Sequence, residues 1–135
     1  MVLAVSNFVK KQTLEKITVK KIKVLYNGID TAKFIPSKKQ KEDIVISIAK
    51  ATENSFRLKG LETFAKASIN FPKSYFILIG KKDDETVNKL KKINPRLNLT
   101  GEISQNEVYN WLKKAKVYCQ LSYVESFGVG VAEAM

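Results

Sequence analysis

Short apolar runs alternate with amphipathic stretches along most of the chain. Asp43 to Ala49 (DIVISIA), Ser74 to Gly80 (SYFILIG) and Val117 to Tyr123 (VYCQLSY) are short and rich in β-branched or aromatic residues, which suits strands buried on both faces. Between them Leu61, Phe64, Ala65, Ser68 and Phe71 recur at helical spacing and stop before Pro72, while Val108, Trp111, Leu112 and Ala115 form a second stripe. Ser104 with Glu107 three residues on reads as a capping box that opens the second helix. Asp84 to Ile93 predicts a weaker helix, and Leu97 to Thr100, after Pro95, a short strand. A last helix is expected from about Phe127 or Gly128. Strand then helix, four times over, predicts an α/β class with a Rossmann-like parallel sheet and helices on both faces.

The first part of the chain departs from this rhythm. VLAVS and IKVLY predict two further strands around a polar helix, and Asn27-Gly28 predicts a tight turn after the second. The polar, charged stretch that begins at Pro36 is the best linker in the sequence. The expected division is therefore residues 1–35 as one unit, 36–42 as linker and 43–135 as a Rossmann-like domain.

Composition narrows the chemistry. With 135 residues and 44% hydrophobic content the chain can bury one ordinary core, and no apolar run approaches the ~20 residues that span a bilayer. The start, MVLAVSNFVKK, is too short in its apolar part and basic on the wrong side for a secretory signal. One cysteine, Cys119, allows no internal disulfide and reads as a buried strand thiol, which fits a reducing cytoplasm. Twenty-four basic against 13 acidic residues give a formal charge of +11, which favours anionic partners: nucleic acid, acidic lipid headgroups or a phosphorylated small molecule. The lysines are spread along the chain, so a solvated surface accounts for most of them. Without histidine the chain has no histidine base, no histidine-ligated metal and no Ser-His or Cys-His nucleophile of its own.

In an open α/β sheet ligands bind beyond the carboxyl ends of the strands, so the loops after each strand are the candidates. They carry Lys50, Arg57 and Lys59 after the first, Gly80-Lys81-Lys82 after the second, Gly101-Glu102-Ile103-Ser104 after the third and Glu125-Ser126-Phe127-Gly128 after the fourth. Cations, glycine backbones and a helix start on one rim outline a diphosphate site. Glu125 and Glu133 lie in otherwise apolar surroundings, where a carboxylate needs hydrogen-bond donors. Glu125 falls in the loop before the last helix and Glu133 in its second turn, roughly 10 Å apart along the axis. Each could accept from a vicinal diol, one on a sugar and one on a ribose, with phosphates between them at the positive helix end.

The ordered pieces Val5-Ser6-Asn7, Tyr26-Asn27-Gly28-Ile29-Asp30 with Phe34 and Pro36, Lys59-Gly60, Leu99 to Ser104, and Glu125 to Glu133 followed by Ala134-Met135 span nearly the whole chain. Together they resemble the retaining glycosyltransferases of the GT-B fold, in the large family called GT4. The resemblance implies that Lys59 neutralises the donor diphosphate, that Glu125 contacts the donor sugar and that Glu133 binds the ribose. It places the backbone of Ser126, Phe127 and Gly128 near sugar and phosphate and Ile103 beside the base, with Gly101 among the substrate-binding residues. Where that family commonly has Gly-Arg after the first strand of this domain, the chain reads Ala49-Lys50. Lys50 keeps the charge without the two-pronged geometry, which leaves Arg57 to supply it.

The resemblance further implies a donor such as a UDP-, GDP- or ADP-sugar, no separate cofactor and no metal, since no Asp-x-Asp motif occurs and Asp83-Asp84 fall in a helix cap. It implies that the chain holds the end of an acceptor-side domain and an incomplete donor domain, inactive alone and prone to self-association. The acceptor, a glycan or a lipid-linked one, would be held by a preceding domain, in the cytoplasm with peripheral contact at the inner face of the membrane. A different class fits the charge alone: a non-catalytic basic α/β module that binds nucleic acid or an acidic surface.

Overall fold

The computed structural model describes residues 1–35 and 40–135. Its smaller sheet pairs β1 (Val2–Ala4) in parallel with β2 (Ile22–Val24). They are joined by α1 (Asn7–Lys16), whose N-cap Ser6 accepts from the Val9 N–H at 3.1 Å. The larger sheet holds β3 (Glu42–Ile48), β4 (Tyr75–Ile79), β5 (Asn98–Gly101) and β6 (Ala115–Tyr118), all parallel, in the order β5-β4-β3-β6. Two helices, α2 (Glu53–Phe56) and α3 (Leu61–Asn70), lead from β3 to β4; α4 (Asp84–Ile93) leads to β5, α5 (Gln105–Lys114) to β6, and α6 (Val129–Ala134) follows.

The apolar runs are continuous because both faces of the sheet are covered. Along β4 the side chains alternate: Phe76 and Leu78 join a core with Leu61, Phe64, Leu90 and Leu97, while Ile77 and Ile79 join a second one with Ile44, Ile46, Val108 and Leu112. The predicted stripe of α3 is buried at Leu61, Phe64, Ala65 and Ser68. Phe71 lies just past the helix end and is exposed, stacked on Phe76 with ring centroids 6.2 Å apart. Ser104 and Glu107 form the expected capping box on α5. Asp83 caps α4 through the Thr86 N–H (2.8 Å) and also receives the Glu53 N–H of α2 (3.2 Å), so one carboxylate pins two helices. The backbone hydrogen bond from Thr86 leads the causes that hold the Asp83 pKa below the ordinary value.

Two expectations are corrected. No turn forms at Asn27-Gly28; the reversal lies at residues 31–33, where the Asp30 carboxylate takes the Ala32 N–H (3.2 Å) and its carbonyl the Lys33 N–H (3.0 Å). β6 ends at Tyr118, so Cys119 to Tyr123 are loop. Cys119 is half-buried just beyond the strand, still donating its N–H to Ile46 O (2.8 Å), and burial raises its thiol pKa. The proposed linker 36–42 falls largely outside the described residues, and β3 already begins at Glu42. Phe34, just before it, packs edge-on against Tyr109 of α5 at 5.4 Å, which ties the first part of the chain to the larger sheet.

The strand order sets where a ligand can enter. From β3 the chain steps outward to β4 and β5, then returns to the other side of β3 at β6. The connections therefore diverge at β3 and β6, and the carboxyl ends of these two strands flank a crevice.

Candidate functional site

The loops after β3 and β6 are pressed together at that crevice. Gly60, the N-cap of α3, takes a left-handed φ of 63°, and a Cβ there would run into the Leu121 carbonyl and lie 2.9 Å from the Leu121 Cβ. Beside it the Tyr123 N–H donates to Leu58 O at 3.0 Å. This close approach carries Lys59 to Glu125. Lys59 Nζ donates to Glu125 Oε1 at 2.6 Å, and the two side chains are only 28% and 29% exposed. The carboxylate inferred to need a donor has one inside the chain.

It has a second. Gln120 Nε2 donates to the same Oε1 at 2.7 Å and to Ser122 Oγ at 2.9 Å, while the Tyr118 hydroxyl donates to Gln120 Oε1 at 2.5 Å. The direction of this line is fixed by its end: an ionised carboxylate only accepts, so the amide nitrogen faces it and the amide oxygen faces the phenol. Partial burial raises the Glu125 pKa, but the hydrogen bond from Lys59 and the Lys59 charge help to outweigh it, so the group titrates below its ordinary value. Tyr118 is pushed up to about 12, first by burial and then by the charges of Glu125, Glu133 and Cys119. Its hydroxyl lies against α6 at Gly130, where an added Cβ would strike it.

Other expected residues sit at varied distances from this centre. Gly128 caps α6 with φ 84°, Ser126 before it is exposed, and the Phe127 ring lies 6.2 Å from that of Tyr26. Glu133 was expected to lack polar company; instead Gln105 at the start of α5 donates to its Oε1 at 2.9 Å. Gly101 is buried at the end of β5 with φ 82° and accepts the Gly80 N–H at 3.0 Å. Ile103 is half-buried against the second core. Lys50 and Arg57 are exposed, and among the described residues no side-chain hydrogen bond or ion pair engages either. Among the described residues no cluster of three Asp, Glu or Cys side chains is placed to hold a metal ion. Next to the site, a cavity of about 340 Å³ is lined by Phe34, Tyr109, Tyr118 and Glu133. A larger hollow of about 710 Å³ lies at the opposite, amino ends of the strands, away from Lys59 and Glu125.

Tyr118, Gln120 and Ser122 were missed as site residues because they fell within a run read as a buried strand. Their spacing by twos, polar on one side of VYCQLSY, was the available signal.

The profile of the family described as Glycosyl transferases group 1 matches residues 28–135. The chain belongs to that family. Solved structures share the fold of this glycosyl transferase chain at low identity. A glycosyltransferase from Rickettsia africae ESF-5 is 22% identical with a TM-score of 0.79, over 98% of this chain and 41% of its own. A sucrose-phosphate synthase from Thermosynechococcus elongatus is 20% identical with a TM-score of 0.80, over 98% of this chain and 37% of its own. Anabaena Alr3699/HepE, solved in complex with UDP and glucose, is 16% identical with a TM-score of 0.79, over 99% of this chain and 41% of its own. The group 1 glycosyl transferase chain thus spans about two fifths of these neighbours. No curated protein sequence matches it. Among its described residues no helix is long and apolar enough to cross a membrane.

Proposed function

We propose that the chain forms the donor-binding part of a retaining glycosyltransferase of GT4 type that uses a UDP-, GDP- or ADP-sugar without a metal ion. The observation that carries this is the Lys59–Glu125 pair at the carboxyl ends of β3 and β6, a cation and an anion held side by side where the strand order opens a crevice. When the bond from the anomeric carbon to the diphosphate breaks, its electron pair goes to the phosphate oxygen. Lys59 stabilises that developing charge, with Lys50 or Arg57 approaching from the exposed loop. Glu125 accepts from the donor sugar hydroxyls and Glu133 from the ribose diol, with the Ser126–Gly128 backbone between them, Ile103 beside the base and Gly101 also lining the donor site. The complex of the Anabaena neighbour with UDP and glucose supports a donor of this class. The glycan or lipid-linked acceptor is held by a preceding acceptor-side domain of which residues 1–35 are the end, in a cytoplasmic protein with peripheral membrane contact.

Charge alone favours a nucleic-acid module, but several lysines are engaged within the chain: Lys82 donates to Leu99 O (2.8 Å), Lys41 to Leu112 O (3.1 Å) and Lys89 pairs with Glu53 (2.6 Å). Calorimetry against UDP-, GDP- and ADP-sugars is the direct test. One nucleotide class should bind in preference to the others and to duplex DNA; tight, steeply salt-dependent DNA binding with no response to any nucleotide sugar overturns the reading.

A further inference from the structure

The proposed donor chemistry leaves the line Tyr118–Gln120–Glu125 without a task. Glu125 Oε1 has two donors, Lys59 at 2.6 Å and Gln120 at 2.7 Å. They differ in kind. Lys59 is a cation on a flexible stem, and a diphosphate competes with Glu125 for it. Gln120 is neutral, and its far end is fixed by the Tyr118 hydroxyl, which is itself backed by α6 at Gly130. We infer that Gln120, oriented by Tyr118, is a positioning residue that holds the Glu125 carboxylate in place, ionised and at full charge, while Lys59 turns to phosphate. This rests on the donor-sugar role proposed for Glu125.

Neutrality matters to the inference. A second cation at position 120 would cancel the charge that Glu125 offers to a sugar hydroxyl, and an apolar residue would leave a half-buried carboxylate with no donor once Lys59 moves. An amide avoids both. Tyr118 can serve as the fixed end because its phenol stays protonated at any working pH, titrating at about 12. The line also joins the two glutamates mechanically, since Tyr118 rises from β6, touches α6, which carries Glu133, and reaches Glu125 through Gln120.

The test uses the full chain with Gln120→Leu and Tyr118→Phe, and two readouts. In the first, the Glu125 carboxyl carbon is followed by NMR during a pH titration without ligand. The titratable groups that face Glu125 are Lys59 from the loop before α3 and Tyr118 from β6, with Glu133 of α6 facing the same phenol. Losing a donor to the charged form should raise the Glu125 midpoint in Gln120→Leu, and by less in Tyr118→Phe. In the second, calorimetry compares UDP with UDP-glucose, GDP with GDP-mannose and ADP with ADP-glucose. The gain that the sugar adds should fall about tenfold in Gln120→Leu, with the diphosphate alone bound as before. An unmoved Glu125 midpoint in a folded Gln120→Leu chain overturns the inference; if that variant unfolds, an unmoved midpoint in Tyr118→Phe, which removes only a hydroxyl, does the same. A raised midpoint in a chain whose wild type gains nothing from the sugar overturns the donor role of Glu125 and leaves Gln120 as the group that holds its carboxylate.

Discussion

Lys59 and Glu125 are counter-ions at 2.6 Å, so a diphosphate that recruits the lysine must first draw it from a carboxylate. In the proposed donor role this ion pair opposes donor binding while it holds both side chains in place. Lys59→Ala should weaken a nucleoside diphosphate by roughly 1.5 to 3 kcal/mol and leave the free nucleoside nearly unchanged, as calorimetry can show. Equal losses for both ligands remove Lys59 from the phosphate role. Glu133→Gln should reduce discrimination between ribose and deoxyribose nucleotides in the same assay; unchanged discrimination in a folded variant leaves Glu133 as the partner of Gln105 alone. At this scale the sequence showed which side chains carry charge and in which loops, so Lys59 and Glu125 were legible. Their partners were not. Gln105 reaches Glu133 from 28 residues away, which no local pattern announces, and Gln120 sits inside an apolar run where only the spacing by twos marks it.

Elements were more legible than contacts, because periodicity reports burial directly. α3, α4 and the cap of α5 follow from stripes and end signals that tertiary packing reinforces. The end of β6 did not, since Cys119 and Leu121 pack on the first core as strand residues would, although the backbone has already left the sheet. α2, four residues long, has no stripe to read and is held by the Asp83 carboxylate of another loop. The junction of α3 with the loop after β6 depends on Gly60. Gly60→Ala would add a left-handed backbone strain and a collision with Leu121, together on the order of 2 to 4 kcal/mol. Chemical denaturation should register that loss, and Lys59 and Glu125 should separate with it; a variant as stable as the wild type shows that the two loops are not in forced contact.

For the whole molecule, the topology places β6 at a sheet edge, bonded to β3 and, among the described residues, to no other strand. Val117 on it is 46% exposed, and Val129 and Val131 of α6 are exposed as well. An apolar strand edge invites pairing with another copy, and the charge of +11 opposes it. Self-association should therefore grow with protein concentration and with added salt, which screens the repulsion over a Debye length of about 8 Å at physiological ionic strength. Light scattering that shows a monomer at every concentration and salt level rules this out, and Val117→Lys should suppress association if it occurs. The same strand decides when the site exists at all. Lys59 and Glu125 stand 66 residues apart and meet only across β3 and β6. Contacts of such separation close late in folding and open early, because loop closure must precede the bonds that reward it. Fraying of β6 alone would dissolve the charge pair while β5, β4 and β3 stay zipped, so hydrogen exchange at the Cys119 amide would report whether the chain is competent, not merely whether it is folded.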